Sequence, residues 1–216
     1  MTVVGRYRGK AASWDVVNEV IDNQGCFTNN CGLGPSFWLT HLGREYIDSA
    51  FVWARRADPT AKLYLNEFRT ETIMNKSDAV LALVKELKSK GIPIDGVGFQ
   101  VHILQQFFPA PSSAEVQANF QRFADAGFDI RITEMDVAVS DNGGAAALTN
   151  QATVYENILN ACLNVSRCKE LTTWGFSDRY NWVPKSFPGY GRALPFDSNY
   201  QPKPAFNSML MRLGQY

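Results

Sequence analysis

The sequence lacks an excess of charge of either sign, and it lacks any long apolar run. Its 216 residues include 21 Lys and Arg against 21 Asp and Glu, so the formal net charge is zero. A balanced chain has no overall field to attract a polyanion, which argues against nucleic acid as a partner. No apolar run approaches the roughly 20 residues that a spanning helix needs, so we expect no membrane partner. The segment Met1 to Lys10 has no apolar signal core and predicts no export signal.

Glycine and proline are also too scarce for a collagenous or low-complexity chain. The sequence has 16 Gly and 10 Pro, and 45% of its residues are hydrophobic, which is enough for one substantial core. We therefore interpret residues 1–216 as a single domain. Aromatic residues make up 12% of the chain, including five Trp, and such side chains often line sites for flat apolar ligands or sugar faces.

The four cysteines form two pairs that are close in sequence, Cys26 with Cys31 and Cys162 with Cys168. Loop closure favours these two local disulfides over the other connectivities. Free buried thiols and a zinc site of four thiolates are the alternatives, although the distance between the pairs in the sequence is unfavourable for zinc. Disulfides indicate an oxidising compartment and predict a secreted protein, although a signal peptide is absent from this chain.

Short apolar runs alternate with amphipathic stretches along the chain, which predicts an α/β protein with a parallel sheet. The predicted strands are Ser13 to Asn18, Lys62 to Asn66, Gly96 to Val101, Asp129 to Thr133 and Leu171 to Phe176. The predicted helices are Ser36 to Arg56, Asp78 to Lys90, a helix capped by Ser112 and Glu115 and ended by Gly127, Thr149 to Val165, and Lys203 to Leu213.

Each strand–helix unit takes about 40 residues, so the chain holds little more than five units. A closed barrel of eight such units needs a longer chain. An open doubly wound sheet is the alternative, but no Gly-x-Gly-x-x-Gly turn follows the first strand, and a nucleotide-binding fold is poorly supported.

Polar side chains stand at the ends of three predicted strands. Glu19 follows the first strand, Gln100 and His102 stand at the end of the third, and Glu134 and Asp136 follow the fourth. Alternation along a strand places Glu134 with Asp136, and Gln100 with His102, on the same side. Any one of these acids is explained equally well as a solvated strand end, but strand-end acids in β/α folds commonly mark the catalytic face.

Two carboxylates on separate strands suit glycoside hydrolysis better than acyl transfer or metal-dependent hydrolysis. The sequence has no serine elbow and no His-x-x-x-His helix, and we expect no cofactor and no metal.

Long motifs in the same order resemble glycoside hydrolase family 10, the endo-β-1,4-xylanases. The motifs are Trp-Asp-Val-Val-Asn-Glu at 14–19, Leu-Tyr-Leu-Asn-Glu at 63–67, Gly-Val-Gly-Phe-Gln-Val-His at 96–102, Ile-Thr-Glu-Met-Asp-Val at 132–137, Thr-Trp-Gly-Phe-Ser-Asp at 173–178 and Phe-Asp-Ser-Asn-Tyr-Gln-Pro-Lys-Pro-Ala at 196–205. The resemblance covers nearly the whole chain. It implies a (β/α)8 TIM barrel and a substrate of xylan or xylo-oligosaccharides.

The same resemblance assigns the site residues. It implies that Glu19 is the acid/base and Glu134 the nucleophile of a retaining double displacement, and that Asn18 binds the sugar 2-hydroxyl. It also implies supporting and substrate-binding roles for the following residues: His102 and Asp136, which hold Glu134; Gln100, which completes the floor of the site; and Trp174 and Trp182, which provide flat faces for the sugar. Core packing is the alternative explanation for the two tryptophans, and a satisfied core histidine for His102.

The sequence departs from the family pattern in three places. The segment 65–69 stands where the family often has Asn-Asp-Tyr-Asn, so Phe68 and Arg69 change the leaving-group side of the site. Cys162 and Cys168 match a pair common in the family, whereas Cys26 and Cys31 lie in a variable loop. Nothing in Met1 to Ala12 resembles the first three strand–helix units of the family.

We therefore expect an incomplete barrel with strands 4 to 8 and their helices. Two functional interpretations follow. The chain is an active xylanase, alone or assembled with a second chain, or it is a truncated and impaired fragment that acts at most as a weak carbohydrate-binding module. The exposed sheet edges of an incomplete barrel also predict self-association.

Overall fold

The computed structural model describes residues 1–28, 30–104 and 110–215, and a β-sheet lies at its centre. In this part of the chain the strands are β1 Ser13–Asn18, β2 Lys62–Glu67, β3 Gly96–Phe99, β4 His102–Leu104, β5 Asp129–Ser140, β6 Cys168–Thr173 and β7 Tyr190–Gly191. The helices are α1 Thr2–Arg6, α2 Asn23–Phe27, α3 Phe37–Leu42, α4 Glu45–Ala57, α5 Asn75–Ser89, α6 Ser113–Asp125, α7 Ala145–Leu163, α8 Val183–Ser186 and α9 Pro204–Leu213, with a 3₁₀ turn at Asp178–Tyr180.

Five strands form the parallel part of the sheet in the order β1-β2-β3-β5-β6. Strand β4 runs parallel to the second half of β5, and β7 pairs antiparallel with the end of β5. Helices connect the successive parallel strands. The predicted α/β class is confirmed.

The core lies between the sheet and its covering helices. Side chains from the strands, such as Leu63 and Ile130, are fully buried with helix side chains such as Phe51 of α4 and Phe120 of α6. Helix α6 begins at the predicted capping box, in which Ser112 and Glu115 bond each other's backbone N–H groups. This packing fixes the strand ends, and with them the side chains that follow the strands.

The single helix predicted from Ser36 to Arg56 is wrong, because the structure divides it into α3 and α4. Gly43 lies between them with φ of 70°, a left-handed conformation that ends a helix. The apolar spacing continues across the break, so periodicity alone does not reveal it.

Four predicted strands also have different bounds, and β2 differs only in ending at Glu67 instead of Asn66. Strand β3 ends at Phe99 because Val101 takes a φ of 64°, which interrupts the extended backbone predicted to continue to that residue. Strand β5 continues past Thr133 to Ser140. Strand β6 begins at Cys168 instead of Leu171 and ends at Thr173 instead of Phe176, because Gly175 has a φ of 104°.

Two disulfides constrain the loops. The structure joins Cys26 to Cys31 after β1 and Cys162 to Cys168 between α7 and β6. Both are the local pairs that loop closure favours. Within residues 1–28, 30–104 and 110–215, no helix is long and apolar enough to cross a membrane.

Candidate active site

The carboxyl ends of the parallel strands surround a pocket of about 600 Å³. Its lining includes the predicted residues Glu19, Gln100, His102, Glu134, Trp174 and Trp182, together with Asn23, Phe68, Arg69, Leu104 and Phe187. Asn18 and Asp136 contact these residues from positions next to the pocket. The structure therefore brings the whole predicted set together.

A chain of side-chain hydrogen bonds joins the two glutamates. The Gln100 amide donates to Glu19 Oε1 at 3.1 Å and to Asn18 Oδ1 at 3.2 Å. The Asn66 amide donates to the same Asn18 oxygen at 2.9 Å and to Glu134 Oε1 at 2.7 Å. The two carboxyl groups are thus held in one network that is anchored by the buried side chains of Gln100 and Asn66.

A bulge in β5 displays Glu134. Ile132 pairs with Phe99 and Asp136 with His102, so three residues of β5 lie opposite two of the neighbouring segment. The pairing with β6 also shifts between Ile132 and Met135. An extra residue bends a strand and redirects a side chain, and such bulges are frequent beside active sites.

Left-handed backbone turns accompany the bulge at two other strand ends. Glu19 has φ of 54° directly after β1, and the β-branched Val101 has φ of 64° between Gln100 and His102. The carbonyl groups of Gln100 and Val101 accept from the amides of Glu134 and Asp136 at 3.2 Å. Unfavourable φ values persist only where the surrounding structure imposes them. The fold therefore fixes the backbone at these two strand ends.

His102 bridges the two acids of β5. Its Nε2 lies 3.3 Å from Glu134 Oε2, and its Nδ1 lies 3.0 Å from Oδ2 of the fully buried Asp136. Burial by itself would lower the pKa of His102, but the contacts with Asp136 and Glu134 outweigh it and raise this pKa to about 9. The imidazole is therefore cationic at neutral pH and holds the Glu134 carboxylate.

The two tryptophans differ in their surroundings. Trp174 is 51% exposed, and its ring lies edge-on to His102 at 6.4 Å between centroids. Trp182 is half-buried, and its indole N–H donates to Asp136 Oδ2 at 2.7 Å. Both line the pocket, and the hydrogen bond fixes the plane of Trp182.

The strand-end prediction missed Asn66 as a site residue. Its Oδ1 accepts from Thr133 Oγ1 at 2.7 Å, which orients the amide toward Asn18 and Glu134. The signal was present, because Asn66 is the last residue of its predicted strand, as Asn18 is of the first.

A buried ion pair between Glu67 and Lys76, the Glu67–Lys76 pair, supports the loops beside Glu19. Lys76 Nζ lies 2.8 Å from Glu67 Oε1 and 3.5 Å from the centre of the Phe68 ring. The Glu67 carboxylate also accepts from the amides of Ile21 and Phe68. Burial raises the pKa of Glu67 and lowers that of Lys76, and their mutual attraction opposes both shifts. The pair connects the loop after β1, the loop after β2, and α5.

Comparison with known proteins agrees with this arrangement. The model of glycosyl hydrolase family 10 matches residues 1–212. The chain belongs to this family. Endo-1,4-beta-xylanase B of Thermotoga neapolitana is 42% identical over 206 residues, which cover 95% of this chain and 57% of the relative. Endo-1,4-beta-xylanase A of Fusarium oxysporum is 39% identical over 218 residues, covering 99% of this chain and 65% of the relative.

Solved family 10 structures have the same fold. Native xylanase 10B from Thermotoga maritima superposes with a TM-score of 0.92 at 41% identity, covering 99% of this chain and 64% of that one. Xylanase 10B from Thermotoga petrophila, solved in complex with xylobiose, also has a TM-score of 0.92, at 40% identity and with 63% of its chain covered. The chain thus spans 57% to 65% of the length of these four relatives, and the sheet corresponds to an incomplete barrel.

Proposed function

We propose that the protein is an endo-β-1,4-xylanase that hydrolyses xylan and xylo-oligosaccharides with retention of configuration, and that residues 1–216 act as a single catalytic domain. The observation that carries this proposal is the hydrogen-bonded network that joins Glu19 and Glu134 in one pocket. The names of the family 10 relatives and the xylobiose complex of one of them support the choice of xylan.

The proposed reaction has two steps. In the first, the Glu134 carboxylate attacks the anomeric carbon while Glu19 gives its proton to the departing glycosidic oxygen, leaving a glycosyl ester on Glu134. In the second, Glu19 takes a proton from water as the water oxygen attacks the same carbon and releases the ester. Retention requires carboxyl groups about 5 to 5.5 Å apart.

The surrounding residues support these steps. Cationic His102, oriented by Asp136, holds the carboxyl group of Glu134, the proposed nucleophile. Asn18 accepts from its neighbours through Oδ1, and we assign its amide N–H donors to the sugar 2-hydroxyl. Gln100 forms the floor between Asn18 and Glu19, and Trp174 and Trp182 offer their faces to sugar rings.

Product analysis tests the reaction. Proton NMR of xylo-oligosaccharide hydrolysis should show the β-anomer as the first reducing-end product, before mutarotation. Glu134→Gln protein purified in the same way controls for contaminating hydrolases. First appearance of the α-anomer would contradict retention, and binding without hydrolysis would favour the alternative of an impaired carbohydrate-binding module.

We further propose that the chain self-associates through the edge of its sheet. Within the described residues, β1 pairs only with β2 among the strands, and apolar side chains lie exposed on the neighbouring helices. Trp38 of α3 is 57% exposed and Trp53 of α4 is 52% exposed, and both line a second cavity of about 620 Å³ that reaches Glu19. An unpaired edge beside such a surface is a template for pairing with a second copy.

Light scattering tests this proposal. The purified chain should form dimers or larger species at micromolar concentration, and Trp53→Lys should shift the population toward monomer. Ile73→Lys is the matched control, because Ile73 is 56% exposed in the loop between β2 and α5 and does not line this cavity. A monomer across this concentration range in the unsubstituted protein would contradict self-association.

We also propose that the protein acts outside the cell. Disulfides form and persist in oxidising compartments, and the structure contains two that close loops around the sheet.

A further inference from the structure

A long loop between β6 and α9 brings two aromatic side chains to the active-site pocket. We call residues 178–194 the Trp182 loop; it includes the 3₁₀ turn, α8 and β7. Trp182 and Phe187 of this loop line the pocket. The loop packs through a small apolar cluster in which Val183 and Ala193 are fully buried. A cluster of this size holds a loop less firmly than a full core does, so the polar contacts at its ends decide its position.

One buried ammonium group joins the two ends of the Trp182 loop. Lys203, the residue before α9, places its Nζ 3.0 Å from Oδ2 of Asp178 at the start of the loop. The same Nζ donates to the carbonyl groups of Arg192 and Leu194 at the end of the loop, at 2.6 and 2.7 Å. A lysine ammonium has three N–H donors, and this arrangement uses all three.

Asp178 completes the connection from the other side. Its Oδ1 accepts from the backbone N–H of Leu194 at 2.9 Å, so the start of the loop also contacts the end of the loop directly. The side chains of Lys203 and Asp178 are 6% and 8% exposed. Buried charges that are paired and fully hydrogen-bonded hold one geometry, and we call these two residues the Lys203–Asp178 clamp.

The Trp182 loop meets the nucleophile side of the pocket through β5. The indole N–H of Trp182 donates to Asp136 Oδ2 at 2.7 Å. At the end of the loop, the Ala193 carbonyl accepts from the Val137 amide at 3.0 Å and from the Tyr155 hydroxyl at 2.8 Å. The clamp therefore holds a loop whose end is bonded to β5 one residue beyond the hydrogen-bond partner of Trp182.

We propose that Lys203 and Asp178 are positioning residues of the active site, which fix the sugar-binding face of Trp182 by joining the two ends of its loop. The inference rests on the proposed xylanase function, because it assigns that face to a sugar ring. Neither residue of the clamp lines the pocket, and both act through Trp182. A ring that is held in place before binding loses little further freedom when the sugar arrives, so the clamp increases substrate affinity.

Removing both charges of the clamp tests its effect on the substrate. Lys203→Met alone would leave Asp178 buried without its cation, so the variant is Lys203→Met/Asp178→Asn. We expect the KM for xylotetraose to rise about 10-fold with kcat nearly unchanged, because an aromatic contact made equally in the substrate complex and the transition state is lost. In a Trp182→Ala background the same double substitution should change KM little, because the clamp acts through that ring.

A similar set of contacts around Arg55 provides the matched control. Its guanidinium donates to the carbonyl groups of Pro59 and Ala61 and to the Asp95 carboxylate. Asp95 directly precedes β3, so these contacts lie at the amino ends of the strands, opposite the pocket. Arg55→Met/Asp95→Asn should leave the KM for xylotetraose unchanged, whatever it does to the free energy of unfolding.

Hydrogen exchange of the tryptophan indoles tests the clamp without a substrate. In ¹⁵N-labelled protein the indole N–H of Trp182 should exchange at least about 10-fold faster in Lys203→Met/Asp178→Asn, because the loop opens more often. The indole nitrogen of Trp14 on β1 is also buried and serves as the internal reference. Its exchange rate should stay the same, which distinguishes opening of the Trp182 loop from a general loss of stability.

The two measurements separate this inference from the proposed function. Unchanged exchange at Trp182 would overturn the role of the clamp, and so would an unchanged KM in a variant whose Trp182 indole exchanges faster. If the unsubstituted protein neither binds nor hydrolyses xylotetraose, the proposed function fails, and faster exchange at Trp182 alone still supports the positioning of that ring by the clamp. Asp178→Asn, which keeps the lysine and all its donors, is measured in the same way if the double variant does not fold.

Discussion

Replacing Glu134 by alanine should lower kcat on every glycoside by at least about 10⁴-fold, because no other group can form the glycosyl ester. The structure concentrates the supporting contacts on this side chain, since both Asn66 and His102 reach its two oxygens. Hydrolysis of xylobiosides with leaving groups of graded acidity measures the effect. Glu156→Ala, on α7 and outside the pocket, is the control and should retain full activity.

Glu19→Ala should behave differently, because proton donation matters only for a poor leaving group. The first step should survive for a dinitrophenyl xylobioside, and turnover of unactivated xylo-oligosaccharides should fall by about 10²- to 10⁴-fold. Azide should then restore turnover and give a glycosyl azide of retained configuration, since this anion attacks the glycosyl ester as a nucleophile and needs no general base. Equal losses on all leaving groups without an azide effect would remove Glu19 from the acid/base role.

The second large effect concerns stability at alkaline pH. The pKa of His102 is raised from 6.5 to about 9 by its two carboxylate partners, so the folded state holds this proton more tightly than the unfolded chain. The resulting stabilisation is fully present below pH 6.5 and is lost as the pH rises through 9. Its size is on the order of 3 kcal/mol at pH 6.

Denaturant unfolding between pH 6 and 10 measures this linkage. His102→Gln should have a lower free energy of unfolding than the unsubstituted protein at pH 6. The difference between the two free energies should become steadily smaller toward pH 10. His41→Gln is the control, because His41 is the other histidine of the chain and is exposed on α3. If the difference in the free energy of unfolding stays constant from pH 6 to pH 10, His102 contributes to stability through packing alone.

Much of the architecture could be predicted from the sequence because the strands follow strong local signals. Strand β1 has the predicted bounds and β2 begins at the predicted residue, since each is a short apolar run after a turn. The capping box at Ser112 depends only on neighbours within one helical turn. Features that depend only on neighbouring residues can be predicted without the tertiary structure.

The features that shape the site could not be predicted in this way, because they depend on contacts between distant segments. The bulge at Glu134 is defined by its register against β3, β4 and β6. The positive φ of Val101 contradicts the preference of a β-branched residue and is imposed by the surrounding fold. Lys76 has the appearance of a solvated helix-start residue, and only tertiary packing brings it to Glu67.

The Glu67–Lys76 pair has a consequence for how the pocket meets a sugar chain. The loops after β1 and β2 contribute Asn23, Phe68 and Arg69 to the pocket, although they lack continuous regular secondary structure. The Glu67–Lys76 pair and the Cys26–Cys31 disulfide fix the conformation of these loops when the chain folds. The loops therefore lose their conformational entropy during folding and not when a ligand binds. This side of the pocket is therefore a preorganised surface, and under the proposed function a sugar chain would bind there with little loop ordering.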